Sequence, residues 1–273
     1  MRRPMAGVFF VVLFSQVLNA TAAPVGFTFR KGEKLTYAVD VRTSGSPAGK
    51  GTYKSDLSGE AIFETLRVRP DATAELRMTC SGKGKLVAGG ESLAFKDTPS
   101  KPIVLLVQSN GAITEFRDRN GRKTYLVKEP DWGLMNTGAM LETYLAGTYT
   151  MFGLQLPSKT PAAGGKWTGA HKTEHGSGSG EDFDFSKMKV ELKSEPIVFS
   201  LAGTTKYHEV ACLKISSPSA VGFDMPGNPH GVTGTWYFDA ANGRVVGFET
   251  HLKQWGTDKV DFDYTISLTK VEP

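Results

Sequence analysis

The chain has 273 residues, of which 32 are basic and 28 acidic, with 40% hydrophobic content and two cysteines. Removing Arg2 and Arg3 with an amino-terminal leader leaves a net charge near +2, a balance that gives no support to nucleic-acid binding or to a polybasic membrane surface. About 250 remaining residues can bury a large core, and apart from the leader no apolar run is long enough to cross a bilayer as a helix.

The chain opens with Arg2 and Arg3, an apolar run from Val8 to Phe14 and the small residues Ala20-Thr21-Ala22. This is the pattern of a secretory signal peptide over residues 1–22, cleaved before Ala23, and it predicts an exported protein, periplasmic or extracellular and soluble. An oxidising compartment would permit a disulfide between Cys80 and Cys212; the alternative is two separate buried thiols behaving as small hydrophobes.

A first β-rich half is expected over residues 23–133. Leu35, Tyr37, Val39 and Val41 alternate with polar residues, the period of a strand with one buried face, before Gly45 to Gly51 breaks the pattern. A second strand runs through Leu66 and Val68 to Pro70, and a third through Ala74, Leu76, Met78 and Cys80, with Asp71 placed to bond backbone in the turn between them. Gly82 to Gly90 reads as a glycine-rich connection. The continuous apolar run Ile103 to Val107 is a strand buried on both faces or an edge tucked under a helix. A hairpin follows, Ile113 to Arg117 and Thr124 to Val127, turning at Asn120-Gly121.

Residues 134–163 form the expected helical connector. Leu134, Leu141, Leu145 and Phe152 recur at spacings of four and seven, the stripe of one amphipathic helix over about Asn136 to Thr150, which Gly147, Gly153 and Pro157 weaken and stop. Such a helix either lids an apolar hollow or covers one open face of a sheet.

The second β-rich half, 164–273, starts at Gly164-Gly165-Lys166-Trp167, comparable with Gly32-Glu33-Lys34-Leu35. Strands are expected near Met188 to Leu192, Ile197 to Leu201 and Tyr207 to Ile215, then a hairpin from Trp236-Tyr237-Phe238-Asp239 through Asn242-Gly243 to Val246, Phe248, Thr250 and Leu252. The last strand is the clearest, with Val260, Phe262, Tyr264, Ile266 and Leu268 on one face. The shared Gly-x-Lys starts, cysteine-bearing strands and closing hairpins predict two similar halves.

Few motifs carry chemistry. His171-Lys172-Thr173-Glu174-His175 matches the H-x-x-E-H of inverted zinc peptidases, where a helix puts both imidazoles on one face, so His171 and His175 are the candidate metal ligands. Gly169 before and Gly176 to Gly180 after argue for a solvated hairpin instead. His208, His230 and His251 stand alone in the sequence, and no nucleophile elbow, calcium loop, phosphate loop or dinucleotide fingerprint is present, so no cofactor is expected. Trp167, Trp236, Trp255, Phe248, Phe262 and Tyr264 sit in strand patterns, as core or as the wall of a lipid-sized pocket.

Leu154-Gln155-Leu156-Pro157 with Gly164-Gly165-Lys166-Trp167, and Tyr237-Phe238-Asp239 with Gly243, resemble the Leu-Pro, Gly-x-x-Trp and Tyr-Phe-Asp pattern of a set of exported, uncharacterised bacterial β-rich proteins. Those are distantly similar to half-barrel carriers of lipoproteins and lipids. The resemblance implies a curved antiparallel sheet wrapped around a helix and transfers no catalytic residue. Together these readings predict a mainly β, non-enzymatic carrier that holds an apolar small molecule, lipid or partner segment. Leu134, Leu141, Leu145, Phe152, Trp167 and Trp236 are the candidate contacts. A filled-core structural or interaction protein of the cell envelope, meeting an envelope protein as partner, is the alternative, and an exported metal-dependent hydrolase the third.

Overall fold

The computed structural model describes residues 25–46, 52–95, 102–117, 153–177, 189–218, 233–255 and 258–273. Twelve strands follow one another: β1 (Lys34–Ser46), β2 (Tyr53–Val68), β3 (Ala74–Ala88), β4 (Glu91–Phe95), β5 (Ile103–Val107), β6 (Ile113–Arg117), β7 (Lys166–Ser177), β8 (Lys189–Tyr207), β9 (Val210–Ser217), β10 (Thr233–Asp239), β11 (Arg244–Trp255) and β12 (Asp258–Glu272). All pair antiparallel in one sheet, ordered β6-β5-β3-β2-β1-β12-β11-β10-β9-β8-β7, with β4 attached to β3. The two sequence halves meet where β1 pairs with β12, in a ladder from Lys34↔Glu272 to Ser46↔Lys259. There is no α-helix among the described residues; the stripe of Leu134, Leu141, Leu145 and Phe152 lies outside them.

The sheet is open, since β6 and β7 do not pair, yet it must curl. Eleven strands laid flat would span about 48 Å at ~4.8 Å per strand. The tripeptide Leu154-Gln155-Leu156, which can reach only ~10 Å, touches both ends. The Leu156 amide donates to the Asn110 carbonyl in the β5–β6 turn at 2.7 Å, while the Gln155 side chain bonds the backbone of Ala170 on β7. A second short segment acts likewise: the Phe27 amide donates to Ser109 O (2.6 Å) and the Thr28 amide to Gly243 O (2.8 Å) in the β10–β11 turn. These two straps plug one end of the curled sheet with Phe27, Leu154 and Leu156, all buried. Gly111, at φ 91°, is required there, because a β-carbon would sit 1.9 Å from the Leu154 carbonyl oxygen.

Alternation sets the inner face. On β1, Tyr37, Val39, Val41 and Thr43 are buried, while Asp40 and Arg42 are exposed. The final strand behaves as its pattern requires, with Tyr264 and Ile266 fully buried. Asp71 bonds its own turn, its carboxylate accepting from the Thr73 amide at 3.0 Å; that bond chiefly holds its pKa below the usual range. The β10–β11 hairpin turns at Asn242-Gly243 with Gly243 at φ 63°.

Three expectations are corrected. Gly82 to Ala88 is strand rather than connection. Gly59 pairs with Gly82 and Leu57 with Gly84, and a β-carbon on Gly84 would meet Leu57 Cδ2 at 2.2 Å, so the glycines make room across the ladder. The second strand starts at Tyr53, well before Leu66. Tyr207 to Ile215 is not one strand: β8 ends at Tyr207 and β9 begins at Val210, because His208 (φ 45°) and Glu209 (φ 67°) both take left-handed backbone in a two-residue hairpin turn. Of the two readings left open for the cysteines, the structure has the separate buried thiols: Cys80 lies on β3 and Cys212 on β9, with five strands between theirs in the sheet order. Burial pushes the Cys212 thiol pKa up.

Candidate binding face

The inner face is built by register. Ile215, Trp236, Phe248, Ile266, Val39, Gly59 and Gly82 are successive partners across β9, β10, β11, β12, β1, β2 and β3, so they form one row along the concave wall. Bulk falls along that row from indole and phenyl to glycine. The aromatic part continues sideways as a chain of ring contacts. Trp167 stacks on Phe199 (centroids 5.7 Å), Phe199 meets Trp236 edge-on (5.7 Å), Trp236 packs against Phe248 (4.9 Å), and Phe248 meets Tyr264 (6.3 Å). The structure thus brings the two predicted tryptophans Trp167 and Trp236 into one cluster through Phe199. Trp167 is half-buried and gives its indole N–H to the Gln155 carbonyl at 2.5 Å, whereas Trp236 is fully buried.

The next row toward the unplugged end reads Ser217, Gly234, Thr250, Tyr264, Val41, Leu57 and Gly84, and beyond it lie Thr43 and Ser55. Hydroxyls therefore replace hydrocarbon as the wall leaves the plug. Trp236 Nε1, Thr250 Oγ1 and Thr43 Oγ1 are buried without a hydrogen-bond partner, as is Arg244 Nε at the plugged end, an arrangement that is costly to the fold.

Buried charge collects at the plugged end instead. Arg244 donates to Glu33 at 3.3 Å, both nearly inaccessible, and Asp239 accepts from the Ala241 and Asn242 amides in the β10–β11 turn. Tyr37 donates its hydroxyl to Val245 O at 2.9 Å, and its burial raises its pKa strongly. On the outer face, Tyr207 at the β8–β9 tip stacks on Tyr237 (4.3 Å) and lies where a β-carbon on Gly247 would stand. Tyr237, bonded to Glu249 at 3.0 Å, has its pKa pushed up to about 12, mainly by desolvation.

His251, isolated in sequence, is placed by β11–β12 pairing against Asp263, which its Nδ1 contacts, while its Nε2 lies 3.7 Å from Asp261. One donor atom of each lies within 4.8 Å of the others, the donor set of a divalent-cation site, and both aspartates border an open cleft of about 440 Å³ with Asp40, Arg42, Lys54 and Asp56. All three ligating residues are exposed, and Arg42 opposes Asp263 in the ladder, so they read as a screened surface ion-pair group. His171 and His175 lie on β7, whose backbone is strand paired with β8 rather than the helix that the zinc geometry of their motif uses; their side chains lie outside the described residues.

Sequence reasoning found Trp167, Trp236, Phe248 and Tyr264 but missed Phe199, Thr43 and Thr250, the buried Glu33–Arg244 pair and the Gln155 clip. Phe199 and Thr250 were findable, since each holds an inward position in an alternating strand. Glu33 and Arg244 lie 211 residues apart and carry no local signal.

No protein-family model and no curated protein matches the chain. Among solved structures it is similar to lipovitellin, in a structure describing lipid–protein interactions, at 10% identity and TM-score 0.44; the match covers 90% of this chain but 26% of lipovitellin, so the chain spans about a quarter of that protein. It is also similar to a candidate exported protein with a YmcC-like fold from Bacteroides fragilis (11% identity, TM-score 0.33, 92% of this chain and 100% of that one). A third likeness is to a β-barrel-like DUF1849 protein from Brucella abortus (8% identity, TM-score 0.34, 92% and 98%).

Proposed function

We propose that this protein is a non-enzymatic binding protein that takes an apolar molecule, or the apolar part of one, along the concave wall of its curled sheet. The observation that carries the reading is the one-sided wall itself: an open sheet plugged at one end, with a continuous inner row from Ile215 and Trp236 through Phe248, Ile266 and Val39 to the glycines of β2 and β3. The wall residues are already buried, so the gain on binding is the ligand's own apolar area, worth about 25 cal/mol per Å² removed from water. Residues 1–22 are proposed to direct export, giving a mature chain that starts at Ala23.

The second reading, a filled-core interaction protein of the envelope, is favoured by the complete burial of Phe199, Trp236 and Phe248. Native mass spectrometry with solvent extraction, on protein purified from the compartment it is exported to, separates the two. A recurring bound apolar molecule supports the carrier; a clean apo mass for every preparation overturns it. The same spectrum reads the amino terminus, and a mature mass that retains residues 1–22 overturns export by cleavage.

A further inference from the structure

We infer that the native sheet and a disulfide between Cys80 and Cys212 exclude each other, so that this protein carries a redox condition on its folding. Only the dithiol chain can build the sheet, and a chain bridged before it folds needs a dithiol reductant or a thiol–disulfide isomerase to release it. The inference does not depend on what the inner face binds. Distance, side and reactivity carry it.

The two cysteines lie on β3 and β9, six steps apart in the sheet order. Were the eleven strands on that path closed into a ring at ~4.8 Å per strand, opposite walls would still stand about 17 Å apart. A disulfide tolerates no more than ~7 Å between its α-carbons.

The sulfurs also lie on different sides of the sheet. Cys80 pairs with Ala61, and both belong to the inner core cluster. Cys212 is flanked in sequence by Leu213 and then Ile215, which face inward opposite Phe238 and Trp236, so alternation along β9 carries Cys212 to the outer face. There it is buried beside Tyr207, whose ring lies on Tyr237 and whose hydroxyl shares a 2.7 Å hydrogen bond with Ser267. With the sheet between the sulfurs, bridging them requires the strands to separate.

The folded protein also keeps both thiols unreactive. Exchange needs an accessible thiolate, and both cysteines are buried. Cys212 Sγ donates to Val210 O at 3.2 Å, and desolvation raises its pKa. In the unfolded chain neither shield exists. There the two thiols reduce glutathione disulfide to two glutathiones: Cys80 and Cys212 give up two protons and two electrons, a mixed disulfide forms first, and one internal S–S bond results. Export to an oxidising compartment, proposed above, would place the chain at that risk before it folds.

The test uses the whole mature chain. It is unfolded in urea with glutathione disulfide, the internally bridged monomer is isolated and checked by mass, and denaturant is then removed. The readout is the near-ultraviolet circular dichroism of the cluster around Trp236. Reduced wild type should regain that signal, the bridged monomer should not, and dithiothreitol should restore it to the bridged chain. Cys80→Ala/Cys212→Ala, which can form no bond, should refold equally with or without the oxidant. A bridged monomer that regains the native signal with its bond intact overturns the inference, as does one that stays unfolded after reduction beside a refolding wild type. An unfolded chain that takes glutathione on each thiol and never bridges overturns it too. A second measurement needs no refolding: native protein titrated with urea in the same oxidant should gain the bond only across its unfolding transition, and a bond formed in the native baseline overturns the inference.

Discussion

The two ends of the curled sheet solve the same problem in opposite ways. At the plugged end, most buried polar chemistry is paired: Arg244 with Glu33, Asp239 with the amides of its own turn, Tyr37 with Val245 O, and the backbones of residues 27, 28 and 156 with the turns around them, with Arg244 Nε left over. At the other, Thr43 and Thr250 are buried with their hydroxyls unpartnered. Pairing makes the first end a fixed cap that draws the sheet edges together. The second leaves two hydroxyls without bonds, a cost to the fold that the cap carries only at Arg244 Nε.

The comparison breaks most sharply at Arg244. Arg244→Ala leaves the Glu33 carboxylate buried with the exposed Arg30 guanidinium, 3.6 Å away, as its remaining ion-pair partner. A loss of about 3–5 kcal/mol is expected, read as a lower urea midpoint at unchanged slope. The double variant Arg244→Met/Glu33→Gln should recover much of it, because the plug needs no charge as such. A loss under ~1 kcal/mol in the single variant would mean that the pair is solvated. Gly111→Ala comes next: its β-carbon meets the Leu154 carbonyl and its backbone stays left-handed, for an expected cost of about 3 kcal/mol. Gly89→Ala has positive φ without crowding and should cost about 1 kcal/mol, so the difference between the two isolates the strap contact.

The strap itself is asymmetric, and a smaller effect tests that. Leu156 reaches the β5–β6 turn through backbone, whereas Gln155 holds β7 through a side-chain amide that both donates to the Ala170 carbonyl and accepts from its amide, imitating a neighbouring strand on an edge. Gln155→Ala should cost about 1 kcal/mol and speed hydrogen exchange at the Ala170 amide while leaving the Leu156 amide protected. Equal acceleration at both would show that the strap moves as one piece.

Much of this fold was legible because alternation is a local signal. The strands at Lys34, Ala74, Ile103, Ile113 and Asp258 and the Asn242-Gly243 hairpin announce themselves within ten residues or so. Where reading failed, the cause was pairing across the sheet. Gly82 and Gly84 look like a break until Gly59 and Leu57 are placed opposite them, and Tyr207 to Ile215 looks continuous because the left-handed pair His208-Glu209 contains neither glycine, asparagine nor aspartate, the residues of the usual two-residue hairpin turns. The inner face was legible by half: aromatic size marks Trp167 and Trp236 as inward-facing, but threonine on a strand is ordinary, and only three-dimensional burial shows that the Thr43 and Thr250 hydroxyls lack partners.

The smallest expected effect carries the comparison furthest. A valine in place of Thr250 keeps the β-branched shape that a strand favours and deletes a hydroxyl that bonds nothing. If the far end were built for stability, like the cap, the change would cost about 1 kcal/mol, the usual worth of a hydrogen bond. Because no bond is lost and a buried polar group is removed, Thr250→Val should instead leave the unliganded protein unchanged or stabilise it by up to about 1 kcal/mol, measured by urea unfolding of lipid-stripped protein. A stabilised variant would show the hydroxyl to be kept at the expense of the fold. A destabilised variant would place a partner on Thr250 in the unliganded state and return the far end to the same class as the cap.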